Sequence, residues 1–101
     1  MRTRRTYYKD YGIDGEEIKR LRMICANADR ETEDILKNAA VYSNPCIADE
    51  LYKSLRYKMS YTELQDEVDY LPYGKEDFYG YQRVCVEMFR CLMIYAGRYK
   101  P

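Results

Sequence analysis

Between Phe78 and Ala96, apolar side chains recur every three or four residues: Phe78, Tyr81, Cys85, Met88, Phe89, Leu92, Tyr95 and Ala96. This spacing draws one apolar stripe along about six helical turns, and no strand geometry reproduces it. Lys75 to about Ala96 therefore reads as one long helix, with Gly97 placed to end it. Such a stripe needs other elements to cover it. A chain of 101 residues supplies enough for one compact domain and too little for two.

The covering elements are legible upstream. Asp14-Gly15-Glu16-Glu17 offers an Asp cap with a Glu three residues on, and Ile18, Leu21, Ile24, Cys25 and Ala28 follow at helical spacing, so a first helix is expected from about Gly15 to Ala26. Asp29 or Thr32 can cap a second, whose apolar face is Ile35, Leu36, Ala39 and Ala40. Asn44 with Pro45 behind it is expected to open a third helix that buries Ile47, Leu51 and Leu55 and fades near Lys58, because proline loses nothing in a first helical position. Ser60-Tyr61-Thr62-Glu63 is a capping-box pattern for a short fourth helix, with Leu64 and Val68 inward, ending before Leu71-Pro72-Tyr73-Gly74. No strand-like alternation of useful length competes. The expected fold is all-α, a compact bundle of about five helices with a long C-terminal helix. Residues 1–13 read as a basic, tyrosine-rich arm and residues 14–101 as a single helical domain.

Chemistry is narrowed by what the side chains lack. The chain has no histidine, which removes the ordinary general base near neutral pH, the Ser-His and Cys-His nucleophile pairs and most catalytic metal sites. Cys25, Cys46, Cys85 and Cys91 form no C-x-x-C pair and read as reduced, packed thiols. Carboxylate pairs such as Glu16 and Glu17, Asp49 and Glu50, or Glu76 and Asp77 fall in the first turns of expected helices, where the macrodipole accounts for them. No catalytic residue, metal ligand or cofactor is expected, and the protein reads as a binder rather than an enzyme. No charge-free run approaches the roughly 20 apolar residues of a membrane span, and the basic N-terminus is not followed by the apolar half of a secretory signal. A cytoplasmic protein that does not enter a membrane is the expectation.

Seventeen acidic and seventeen basic residues cancel, but their distribution is uneven. Arg2, Arg4, Arg5 and Lys9 make the start basic, while Glu63, Asp66, Glu67, Asp69, Glu76 and Asp77 face a single Lys75 between Thr62 and Asp77. Thirteen tyrosines with no tryptophan add large, rigid, amphipathic contact area. Tyr61, Tyr81 and Tyr95 fall on apolar faces and are expected in the core, whereas Tyr73 and Tyr79 flank the acidic stretch. The candidate partner-binding surface is thus Glu63, Asp66, Glu67, Asp69, Glu76 and Asp77 with Tyr73 and Tyr79.

The segment from Ser60 to Met88, a short capped helix, a turn and a longer helix, resembles the helix-turn-helix of sigma-factor region 4 and related phage activators. Leu64 and Val68 match the inner positions of the first helix, Leu71 the turn hydrophobe, and Phe78, Tyr81 and Cys85 the buried face of the recognition helix. The resemblance covers under a third of the chain. Its turn from Tyr70 to Gly74 is about two residues longer than the family's, Gln65 stands where a small residue is usual, and the second helix begins Lys75-Glu76-Asp77, acidic where phosphate must approach. DNA binding, on this resemblance, would use Lys75, Gln82 and Arg83 together with the arm residues Arg2, Arg4 and Arg5.

A looser likeness spans the chain. Tyr7-Tyr8-Lys9-Asp10-Tyr11-Gly12-Ile13, Ala48-Asp49-Glu50-Leu51-Tyr52-Lys53-Ser54-Leu55 and Asp77-Phe78-Tyr79-Gly80-Tyr81-Gln82-Arg83 resemble short proteins carried by phages and mobile elements of Firmicutes. The resemblance implies transcription regulators or inhibitors of host defence, including anti-CRISPR proteins. Two expectations follow. One is an inhibitor whose acidic helical surface occupies the basic, nucleic-acid-binding groove of a protein or protein–nucleic-acid complex. The other is a helix-turn-helix DNA binder, with a homodimer through the long helix as a possible form.

Overall fold

The computed structural model describes residues 15–68 and 70–101. Five α-helices follow in order: α1 (Gly15–Ala26), α2 (Arg30–Ser43), α3 (Ala48–Arg56), α4 (Tyr61–Glu67) and α5 (Lys75–Tyr95). The all-α bundle with a long last helix is the observed architecture. No helix among the described residues is long and apolar enough to cross a membrane. The expected Asp14 cap and the arm over 1–13 lie outside the described residues.

Local chemistry sets the helix ends. Asp29, rather than Thr32, caps α2: its Oδ1 accepts the Thr32 N–H at 2.9 Å, and Thr32 itself is buried. At α4 the capping box is complete, with the Glu63 N–H donating to Ser60 Oγ at 3.2 Å and the Ser60 N–H to Glu63 Oε1 at 3.1 Å. Gly97, at φ 73°, closes α5 by a Schellman turn in which the Gly97 N–H donates to Ile94 O and the Arg98 N–H to Met93 O. One expected boundary moves. Asn44 caps a single 3-10 turn, Pro45–Ile47, and α3 begins only at Ala48. The irregular backbone of Ile47 (φ −125°, ψ 25°) interrupts the helix there while its side chain is almost wholly buried.

The α2 and α5 helices share the most extensive interface, and Ala39 and Ala40 on α2 and Gly80 on α5 are buried. They run antiparallel, since Ser43 at the end of α2 donates to the Tyr81 carbonyl near the start of α5 (2.6 Å) and Arg98 after α5 reaches Asp29 before α2 (2.8 Å). Phe78, Phe89, Leu21, Leu36, Ile47, Leu51 and Leu64 fill the centre, and burying each such side chain contributes about 2 kcal/mol. Arg56 joins three helices: it donates to the Ala26 carbonyl at the end of α1 (2.8 Å) and to Glu33 on α2 (2.9 Å) from the last turn of α3.

The stripe on α5 is rotated from the one expected. Its buried line is Phe78, Gln82, Cys85, Val86, Phe89 and Met93, with Tyr81, Met88 and Leu92 on its flanks. Covered by α1, α2 and α3, the helix buries more than one face. In its last turn Met93 is the buried residue, and Tyr95, expected in the core, falls on the other side of the helix and is 92% exposed, with Ala96 exposed beside it. The four cysteines also divide. Cys25 and Cys85 are buried, and burial pushes the Cys25 thiol up to about 12, but Cys46 and Cys91 are exposed rather than packed.

Candidate functional site

The acidic surface is built on α4 and the first turn of α5. Tyrosines hold these two helix starts together: the Tyr61 hydroxyl donates to the Tyr73 carbonyl at 2.7 Å, the Tyr61 N–H donates to the Tyr79 hydroxyl at 3.0 Å, and the Tyr61 ring meets Phe78 edge-on at 5.6 Å. Tyr73 packs edge-on against Tyr81 at 5.0 Å and Tyr79 against Phe78 at 5.5 Å. Both are half-buried, so these two residues position the acidic helices and leave only part of each ring at the surface.

The carboxylates divide by what they already hold. Glu63 is exposed but accepts the Ser60 N–H in the capping box. Glu67 accepts from Lys53 at 3.1 Å, a solvent-facing pair that raises the lysine's pKa through that hydrogen bond and is screened by salt. Asp66 and Glu76 are exposed, with no hydrogen bond or ion pair among the described residues. Asp77 is half-exposed and interacts with neighbouring groups, Tyr81 among them. Asp69 lies outside the described residues.

The described residues among those expected to read DNA differ in their exposure. Lys75 is exposed on the first turn of α5 and Arg83 is half-buried with partners of its own. Gln82, expected to reach bases or phosphates, is 3% exposed and spends its amide internally: Oε1 accepts from Arg22 Nη2 at 2.8 Å and Nε2 donates to Ser54 Oγ at 3.0 Å. A buried amide stays in the core because its polar atoms are matched there, and one so placed cannot enter a groove of DNA. Arg2, Arg4 and Arg5 lie outside the described residues. Leu64, Leu71, Phe78 and Cys85 are buried, and Val68 and Tyr81 half-buried.

Sequence reading missed one polar cluster altogether. Glu17 is 6% exposed, and its Oε2 accepts from Arg90 Nε at 2.9 Å and from the Tyr99 hydroxyl at 2.8 Å. Burial pushes this carboxyl up, but the hydrogen bonds from Arg90 and Tyr99 outweigh it and leave the group below the usual carboxylate range. Its only sequence signal is a first-turn glutamate, which is indistinguishable from those at the surface. Next to it, Glu87 has the opposite balance: burial raises its pKa, its Oε1 accepts from the Cys91 thiol at 3.3 Å, and its buried Oε2 has no hydrogen-bond partner among the described residues. Among the described residues, no three Cys, Asp or Glu side chains converge in a manner that could hold a metal ion.

Compared with known proteins, the chain matches no family model, no curated protein and no solved structure.

Proposed function

We propose that this chain is a non-enzymatic binding protein, an inhibitor of the kind phages and mobile elements carry, which uses the acidic α4–α5 surface to occupy the basic, nucleic-acid-binding groove of a partner such as a CRISPR effector. The observation that carries the reading is the state of Asp66 and Glu76. Among the described residues both are exposed and make no hydrogen bond or ion pair, Asp66 near the end of α4 and Glu76 in the first turn of α5, two helices tied together by Tyr61, with Glu63 and Glu67 also on α4 and Lys53 already paired to Glu67. Carboxylates spaced along helices present negative charge to a cationic groove much as phosphates do, and desolvation in the groove strengthens each contact.

The test uses Asp66→Lys with Glu76→Lys. Reversing Glu63 would also break the capping box, and reversing Glu67 would also break its pair with Lys53, so neither isolates the surface charge. Inhibition of DNA binding by a CRISPR effector–guide complex is expected from the wild-type chain and lost in the double variant, with thermal unfolding unchanged. Direct binding of duplex DNA by the wild-type chain, falling steeply with salt and improving in the double variant, would overturn the reading in favour of a DNA-binding regulator.

A further inference from the structure

On the side of the bundle formed by α1, α3, the link from α3 to α4, and α5 lies a half-open cleft of about 590 Å³, a volume typical of small-molecule sites. Its apolar lining is Met23, Leu55 and Met59; Met23 is 55% exposed, an apolar side chain left at the surface, and thioether side chains adapt to irregular ligands. Lys19, Arg22 and Lys58 also line the cleft, and no carboxylate does among the described residues. Lys19 Nζ lies 3.8 Å from Glu16, and both of those groups are mostly in solvent.

Two features make this a built site rather than a gap in packing. The first is Gln82, which lines the inner wall: its buried amide holds the Arg22 guanidinium at 2.8 Å and is itself fixed by Ser54, whose hydroxyl donates to the Leu51 carbonyl at 2.7 Å. Arg22 is therefore positioned by a buried chain of hydrogen bonds running back into α3. The second is Lys58, which adopts the left-handed conformation (φ 57°) at the rim. A non-glycine residue held there costs about 1 kcal/mol, and such strain gathers at binding sites. A concave wall lined by one sign of charge focuses its field on whatever enters.

From this geometry we infer that the cleft binds a small organic anion, with a carboxylate or phosphate monoester head held by Arg22, Lys58 and Lys19 and a hydrocarbon body lying on Met23, Leu55 and Met59. This site adjoins the acidic surface and shares Tyr79 with it, but its charge is opposite. The probes are decanoate and decyl phosphate, with decanol as the uncharged match, titrated into the full chain while backbone amide shifts are followed. Saturable shifts are expected at Lys19, Met23, Lys58 and Met59. Both anions should bind on the order of tenfold more tightly than decanol, the factor expected of one partly desolvated charge contact. Lys58→Glu should weaken anion binding by a similar factor, and Lys19→Glu, on the open surface of α1, gives an independent reading if the first variant disturbs the link. Equal affinity for decanol and decanoate, anion binding unchanged in both variants, or shifts clustered elsewhere would each overturn the inference. So would an acidic peptide that saturates the same amides while decanoate does not, since the cleft would then serve a protein partner.

Discussion

Two helix starts carry nearly the same acidic signature and put it to opposite uses. α1 begins Gly15-Glu16-Glu17, and α5 begins with Lys75-Glu76-Asp77 after Gly74. At the first, Glu17 is buried against Arg90 and Tyr99 and joins both ends of the described chain. At the second, Glu76 is exposed, with no partner among the described residues. In both places the helix dipole accounts for the charge, but it contributes only tenths of a kcal/mol and does not decide burial. What decides it is the neighbour. The first turn of α1 meets the C-terminal third of α5, where Arg90 projects and the chain returns with Tyr99 after the Schellman turn. The first turn of α5 meets the start of α4, which brings further carboxylates and no arginine.

This contrast fails if the two glutamates prove equally important to stability. Glu17→Ala leaves the Arg90 guanidinium, 19% exposed, without its counter-ion. Allowing for that partial exposure, the expected loss is about 2 to 3 kcal/mol, a fall in Tm of roughly 10 °C or more, read by thermal and urea unfolding. Glu76→Ala should stay within about 0.5 kcal/mol of wild type.

Acid separates the same two groups without mutation. Since Glu17 has a folded-state pKa below its ordinary 4.5, its contribution is fully present above that value and is lost as pH falls through the lower folded value. Asp29, lowered by the Thr32 backbone hydrogen bond, and Glu33, lowered by Arg56, act in the same direction. Stability measured by urea unfolding should therefore drop below about pH 4.5. Glu17→Gln should flatten part of that drop, and Glu76→Gln none of it.

Glu87 sharpens the comparison by reversing the sign. Its pKa is raised by burial, so between the ordinary value of 4.5 and its folded value the native state binds more protons than the unfolded one, and stability is lost as pH rises through that window. Glu87→Gln is expected to stabilise the protein at pH 7 by about 1 kcal/mol, with the gain vanishing in acid, as read from urea midpoints at the two pH values. A loss of stability at pH 7 would mean that the carboxylate has a stabilising partner. The smallest effect on folding is expected from Asp66→Lys with Glu76→Lys, within about 0.5 kcal/mol by the same unfolding measurement, even as partner binding is lost.

The acidic stretch, the short capped α4 and the tyrosines beside it were all legible as local patterns. Burial was less so. Gln82 and Tyr95 show why: helical spacing placed the tyrosine inward and the glutamine outward, but spacing does not know which side of a helix is buried or which polar atoms find partners. Tyr95 falls on the other side of the last turn from the buried Met93, and Gln82 is retained inside by Arg22 and Ser54. The cleft was invisible for the same reason, since Lys19, Arg22, Ser54, Lys58 and Tyr79 come together only when α1, α3 and α5 pack.

What the sequence determined by itself is what depends on neighbours a few residues away: a bundle of about five helices, the Ser60 cap, the Gly97 stop and the uneven charge. These rest on hydrogen bonds and backbone preferences spanning three to five residues, so the local order of side chains contains them. Which carboxylate is buried, which tyrosine is exposed and which cations share a cleft were decided only by tertiary packing. Those outcomes turn on desolvation and on partners such as Arg90, 73 residues away from Glu17 along the chain, and a first-turn glutamate looks the same in sequence whether or not an arginine is waiting for it.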